Sequence, residues 1–273
     1  MRSKMLSDSD RVHEVDRKFL QDVTNEKFVN TLFVRLVAKK VRFIGIDFRY
    51  SIFDTCYLRN CIFDSCDFTG CRFIGTNIYG SKFSGCKFEY SSFEKTIIDS
   101  DILDTECPSP ENLKMKFART LRVNYQQIGD AISANKAIEV ELKATEVHLK
   151  KSWNSNESYY RNKYKEWKRL EIFFEWVKFK ILDYIWGNGE SVLKLIRSTI
   201  IILIAVSLLD VVYFGDSNLI SEYIRSFLKS PQIFLGIVEP VNYPKWYLAT
   251  IFLVRLIILG FFMSIIIKRF NRR

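Results

Sequence analysis

The sequence predicts a mixed architecture: a β-coil of square cross-section, then an α-helical hairpin, then two transmembrane helices. Three observations carry this reading. Large apolar residues recur at every fifth position from Phe43 to Leu103. Helix-spaced apolar residues flank a break at Gly129-Asp130. Two apolar runs of membrane-crossing length lie near the end of the chain. The background composition agrees: 273 residues, 48% hydrophobic, with a formal charge of +10. That much apolar content can bury a core, which excludes disorder for most of the chain. The two histidines, His13 and His148, lie far apart, so neither a His-rich metal site nor a His-dependent triad is expected.

The five-residue period comes first, because internal repeats decide the fold. Phe43, Phe48, Phe53, Phe63, Phe68, Phe73, Phe83, Phe88 and Phe93 occupy nine of its positions, and Leu58, Ile78, Ile98 and Leu103 fill the others. Two residues before each, from Ser51 to Thr96, stands a small residue: Ser, Thr or one of Cys56, Cys61, Cys66, Cys71 and Cys86. A period of five fits neither helix nor strand. It fits a square coil with one pentapeptide per side, one large and one small residue turned inward and three outward. The cysteines are then small, soft interior residues. Their spacing of five matches no common zinc pattern, and no metal or cofactor is expected. The first ten residues show no apolar signal-peptide core, so a reduced cytosolic setting is expected for the thiols.

This pattern resembles the pentapeptide-repeat family, which implies a right-handed quadrilateral β-helix with four repeats per coil. The resemblance covers residues 41–107 and implies a little over three coils, a stub roughly 15 Å tall at one strand spacing per coil. Residues 1–40 are expected to hold a short cap helix over 11–27 and a degenerate first coil over 28–40. Some members of the family mimic DNA, which needs a strongly acidic surface. Residues 41–105 carry nine acidic and seven basic residues, too weak an excess, and no nucleic acid partner is expected.

Residues 108–153 read as the hairpin. Ser109, Pro110 and Glu111 form a helix start. Gly129 stops the first helix and Asp130 caps the second. Its expected role is capping of the β-helix or self-association. Residues 154–187 approach a membrane: over 150–180 nine Lys/Arg face four Glu, interleaved with Trp and Tyr. Such residues sit at headgroup level, and 170–186 reads as an interfacial helix.

Residues 188–273 form the membrane module, with spans expected at 195–214 and 246–267, each long enough for about 30 Å of hydrocarbon. Basic residues flank the outer limits of the pair, Lys194 and Arg197 on one side and Lys268, Arg269, Arg272 and Arg273 on the other. The connecting stretch 215–245 has three acidic and three basic residues. The positive-inside rule then places both termini in the cytoplasm, at an inner membrane. Asp210 and Arg255 lie inside the spans. Arg255, deeper by roughly 6 Å at 1.5 Å per residue, is expected to snorkel out and pair with Asp210, as a structural pair or a gate.

Span, outer hairpin, span resembles the two-span ion-channel family. With the repeats ahead of it, the whole resembles bacterial pentapeptide-repeat channel-like membrane proteins. The resemblance implies assembly around an axis as a homo-oligomer, a tetramer, in a lipid bilayer. Potassium channels carry a T-x-G-Y-G filter. Here the matching stretch 230–240 keeps only Gly236, so potassium selectivity is not implied. Gln232, Gly236 and Glu239 are the pore or filter candidates, with Glu239 as a ring charge, and an ordinary extracellular loop is the other reading of the stretch. The expected function is a gated, channel-like protein whose cytoplasmic β-helix senses or docks a partner. A phage-defence effector that leaks ions is one context for it. The alternative is a non-conducting anchored scaffold whose β-helix docks a protein partner. No enzyme is expected, because no nucleophile–base pair or phosphate loop stands out.

Overall fold

The computed structural model describes residues 11–215, 218–238, 240 and 243–270. It divides into two compact units, residues 1–169 and 170–273.

The first unit is a parallel β-solenoid of about four turns closed by helices. One face runs through Val12–Val15, Thr31–Val34, Ile52–Asp54, Arg72–Ile74 and Ser92–Glu94, each strand parallel to the next. Ile52 pairs with Arg72 and Arg72 with Ser92, so one coil takes 20 residues. The period of five has a backbone cause. From Asn25 to Lys95 every fifth residue is left-handed, with φ between 48° and 72°. Each such residue turns the chain through one corner of the square. Five corners carry Gly, and three carry Asn, the residue types that accept this conformation most readily. At Gly45 a Cβ would come within 2.6 Å of the Asn25 amide oxygen, so a side chain there would also have to push the Asn25 side chain aside.

Inside, the phenylalanines form three columns: Phe28-Phe48-Phe68-Phe88, Phe33-Phe53-Phe73-Phe93 and Phe43-Phe63-Phe83. Successive rings stack with centroids 4.9–5.7 Å apart. Rings in this range attract by offset stacking beyond the burial of their area. The nine repeat phenylalanines are buried except Phe83, which is half-buried. The small residues make a second ladder. Cys56, Cys66, Cys71, Thr76 and Thr96 each donate to the carbonyl 23 residues earlier, at 2.9–3.4 Å. All six cysteines are free. Burial pushes the Cys56 thiol up to about 11.

The solenoid starts earlier than the sequence suggests. Residues 11–27 form no cap helix; they hold the strands Val12–Val15, Lys18–Phe19 and Val23–Thr24. Phe19 pairs with Ala38, 19 residues on, whereas Val23 pairs with Phe43, 20 residues on. One residue is therefore missing from the first coil between Phe19 and Val23. The deletion moves Phe19 out of phase while keeping it buried, which hides the coil from a strict count of five. The solenoid thus has about four turns, because residues 11–40 extend the little over three coils expected for 41–107.

At the other end α1 (Ile102–Thr105), α2 (Glu111–Gln127) and α3 (Ala131–Asn154) close the stack. Glu106, just after α1, is buried and accepts from the Cys86 N–H at 2.6 Å. It stands where the next coil would offer a hydroxyl, as Ser81 does to Cys61. One face of α2 finishes the edge. Thr120 accepts from the Phe93 N–H, Gln127 from the Lys95 N–H, and Asn124 both accepts from and donates to the backbone of Thr96. Phe117 packs on Phe88 and Phe93. The open strand edge, which would otherwise leave N–H and C=O groups unpaired, is satisfied by side chains. Asp130 accepts from the Ser133 N–H at 3.0 Å and caps α3. Glu141 of α3 clamps Arg119 and Arg122 of α2. The segments α4 (Ser158–Lys163) and α5 (Trp167–Trp186) follow.

The second unit contains α6 (Val192–Phe214), α7 (Ile220–Leu235) and α8 (Lys245–Phe270), with a 3-10 turn at Gly187–Gly189 between α5 and α6. Val206 of α6, Ile233 and Phe234 of α7, and Tyr243 and Ile251 share one apolar cluster.

Candidate functional site

α6 and α8 are each long and apolar enough to cross a membrane, over Val192–Tyr213 and Lys245–Lys268. Most of either helix is left uncovered by the rest of the described chain, whereas a core helix of a soluble domain is mostly buried. Between them, α7 is too short and too polar to be a third such helix. It runs antiparallel to α6. About midway along it, Ser226 donates to the Ser207 carbonyl and to Asp210 at 3.2 and 2.6 Å, in the C-terminal third of α6. Near its end, Phe234 and Leu235 line an apolar cavity of about 370 Å³ with Leu195, Ile196, Thr199 and Ile200, close to the other end of α6. The next residue, Gly236, lies against the guanidinium of Arg255, ten residues into α8. At 1.5 Å per residue that is about 15 Å along the helix. The chain therefore descends on α7 to the middle of α8 and must return to its start.

The sequence equips α7 for this path. Pro231 lies inside the helix and cannot donate to the Phe227 carbonyl; the Ser230 hydroxyl does so instead, at 2.9 Å. A hydroxyl in this role is how a proline is tolerated where water is scarce. Ser226, Ser230, Ile233 and Phe234 form the packed face. Gly236 then ends the helix in the left-handed region, φ 75°. Ile237 N–H donates to the Gln232 carbonyl at 2.9 Å and Gly236 N–H to the Ile233 carbonyl at 3.0 Å, a Schellman stop. The positive φ favours glycine here, and a Cβ would also push the Arg255 fork aside. Arg255 also lies 4.8 Å from the Phe252 ring centroid. Its charge sits at the C-terminal, negative end of the α7 dipole, a favourable placement.

Asp210 and Arg255 do not form the expected ion pair; among the described residues no salt bridge joins them. Asp210 instead accepts from the Ser226 and Tyr243 hydroxyls. The reason is α7 itself, which brings a hydroxyl to Asp210 and a helix terminus to Arg255. Two hydroxyl donors satisfy a half-buried carboxylate, so its partner need not be a cation. Gln232 and Gly236 are exposed on the descending segment, and Arg225 and Lys229 are exposed on α7. Glu239 lies outside the described residues. Ser226, Ser230 and Tyr243 are the site residues that sequence reading passes over. The signal for the two serines was their spacing of four on one face of a segment too short for a span; Tyr243 carried none.

Comparison with known proteins bears on the first unit. The family model for pentapeptide repeats matches residues 51–89 in eight copies. The chain contains a pentapeptide-repeat domain. Among solved structures, a trypsin-treated form of QnrB1, a plasmid-mediated fluoroquinolone resistance protein, is similar at 19% identity over 32% of this chain, with a TM-score of 0.20. A pentapeptide repeat protein, Rfr23, from the cyanobacterium Cyanothece 51142 is similar at 12% identity over 33% of this chain and 86% of its own, with a TM-score of 0.16. The chain spans 62% of the length of that QnrB1 chain. No curated protein matches. The pentapeptide-repeat domain is followed by the helical region and by the two apolar helices.

Proposed function

We propose that this protein is a membrane-embedded, channel-like homo-oligomer whose pentapeptide-repeat domain lies in the cytoplasm and docks a partner. The observation that carries the reading is the descent of α7. If α6 and α8 span the bilayer, Gly236, Ile237 and Val238 place irregular backbone near its middle. Ile237 is 71% exposed in the single chain. Irregular backbone at that depth is tolerated only when covered by protein or facing a water-filled cavity. A single copy offers neither, so further copies must supply cover, water, or both. Copies arranged around an axis with α7 innermost would do so, placing Gln232 and Gly236 on the path and Arg225 and Lys229 at its outer mouth. Lys194, Arg197 and Lys268 gather at the opposite ends of α6 and α8, which supports a cytoplasmic location for that face.

Ion flux through full-length protein in liposomes tests this. Flux above empty liposomes, altered by Gln232→Ala, is the expected result. Absence of flux with the protein verified as inserted and oligomeric would remove the channel reading. The anchored scaffold is the second reading, and the exposed tyrosines Tyr50, Tyr79 and Tyr90 on the solenoid favour it as a docking surface. It predicts that unrelated spans substitute for α6 and α8 without loss. Membrane depolarisation in cells expressing the protein tests the defence context, and harmless high expression would count against it.

A further inference from the structure

We propose that the apolar cavity between α6, the end of α7 and α8 binds a fatty acid, its chain along the cavity and its carboxylate on Arg255. The proposal rests on the membrane reading above and adds a ligand site to it. The cavity has a volume of about 370 Å³. α6 lines it from Leu195 to Ile200, α8 from Arg255 to Phe262, and α7 adds Phe234 and Leu235. At 1.5 Å per residue the α8 wall runs about 10 Å. The cavity is thus a slot along the two apolar helices, with Arg255 at one end of its α8 wall.

The lining is apolar except for two side chains. Thr199 is satisfied, because its hydroxyl donates to the Leu195 carbonyl at 3.0 Å. Arg255 is the other. A guanidinium keeps its charge, and inside a bilayer such a charge faces the protein interior or water and takes a partner. The Phe252 ring centroid lies 4.8 Å from it, and the C-terminal end of α7 lies against it at Gly236. A helix end supplies only about half a unit of negative charge. Among the described residues no carboxylate pairs with Arg255. An anion from outside completes the neutralisation, and the slot decides what carries it.

A chloride ion would meet the charge and leave the apolar walls without contacts. A phospholipid keeps its phosphate at the interface, whereas Arg255 stands about 15 Å along α8 from Lys245. A free fatty acid meets both parts of the site. Its carboxylate matches the guanidinium fork in a bidentate pair. Its chain fills the slot by van der Waals packing, the attraction that remains where lipid tails are as apolar as the walls. Apolar walls with one placed polar group are the common form of a small-molecule pocket.

Native mass spectrometry of the full-length protein tests the site, in micelles doped equally with palmitic acid and hexadecanol, which share a chain length and differ in charge. Retained palmitic acid should exceed hexadecanol. Arg255→Gln should weaken palmitic acid at least about tenfold, the lower end of what a hydrogen bond to a charged group is worth, and leave hexadecanol unchanged. Leu259→Trp, which fills the slot from an exposed position, should reduce both. Arg225→Gln, at an exposed position on α7, should change neither. Equal retention of the two, or an acid preference that survives Arg255→Gln, would overturn the site. Retention of neither would also overturn it, and is the result expected if a second copy fills the slot. Displacement of palmitic acid by equimolar phosphatidylglycerol would overturn it by making this a phospholipid site. Alkaline carbonate extraction separates the two levels. Release of the protein from membranes ends both readings, whereas a retained protein without acid preference ends only this one.

Discussion

Replacing Asn124 by Leu should open the last coil of the solenoid. Asn124 is fully buried, and its amide binds both backbone groups of Thr96. The Thr96 N–H donates to Oδ1 at 2.7 Å and Nδ2 donates to the Thr96 carbonyl at 2.8 Å. Leucine has a similar volume, so the site stays filled while both backbone groups lose their partner. Each orphaned buried group costs about 1–3 kcal/mol, so the pair costs about 2–6 kcal/mol. The neighbouring bonds from Thr120 and Gln127 persist, which confines the loss to the edge of the stack. Hydrogen exchange of the peptide covering residues 93–98, measured in the full-length protein, reads this directly. Exchange should accelerate by at least about thirtyfold, the equivalent of 2 kcal/mol. Acceleration under about threefold would refute the claim that the polar face of α2 completes the ladder.

Three further outcomes follow from the same geometry. Burial raises the Cys56 thiol from 9.0 to about 11, so its contribution is complete below pH 9 and lost as pH rises through 11. Unfolding midpoints should therefore fall across that window, and Cys56→Ser should flatten the fall; an unchanged slope would count against it. Burial likewise holds the Glu106 carboxyl above its ordinary value. Its stabilising contribution is present below pH 4.5 and lost as pH rises through the folded value. Glu106→Gln should thus match or exceed the parent in stability at pH 7, while Glu106→Ala, which abandons the Cys86 N–H, should lose about 1–2 kcal/mol by denaturant unfolding. Gly236→Ala should lower the unfolding midpoint of the full-length protein in detergent. The left-handed φ alone costs about 1–2 kcal/mol, and displacement of Arg255 adds to it. A loss below about 0.5 kcal/mol would show that the stop is not strained by a side chain.

The solenoid was legible because its interior is written in single residues at a fixed period. Each inward Phe and each small residue two before it reports its own position, so no long-range inference is needed. The first coil was not legible, because one missing residue between Phe19 and Val23 breaks the count while leaving the pairing intact. The capping face of α2 was half legible. Leu113, Phe117 and Leu121 show an apolar stripe, but Asn124 and Gln127 look like solvated polar residues until the open strand edge is placed beside them. The same blindness explains Asp210. Charge alone suggests a cationic partner, and Arg255 is the cation near the middle of the other apolar helix. Only the placement of α7 brings hydroxyls from Ser226 and Tyr243 to it. The descent of α7 could not be read from composition, because amphipathic spacing in a segment of 16 residues also fits a surface helix.

The claim that α7 leads a water-filled path is tested most directly at Gln232. A Gln232→Cys variant of the full-length protein in liposomes would be treated with a membrane-impermeant cationic thiol reagent while ion flux is recorded. Flux that is present before treatment and falls as the thiol is modified is the expected result. The parent protein, whose solenoid cysteines are buried, should keep its flux. Flux that persists through complete modification of the Gln232→Cys thiol would contradict the account and place the path, or the helix, elsewhere.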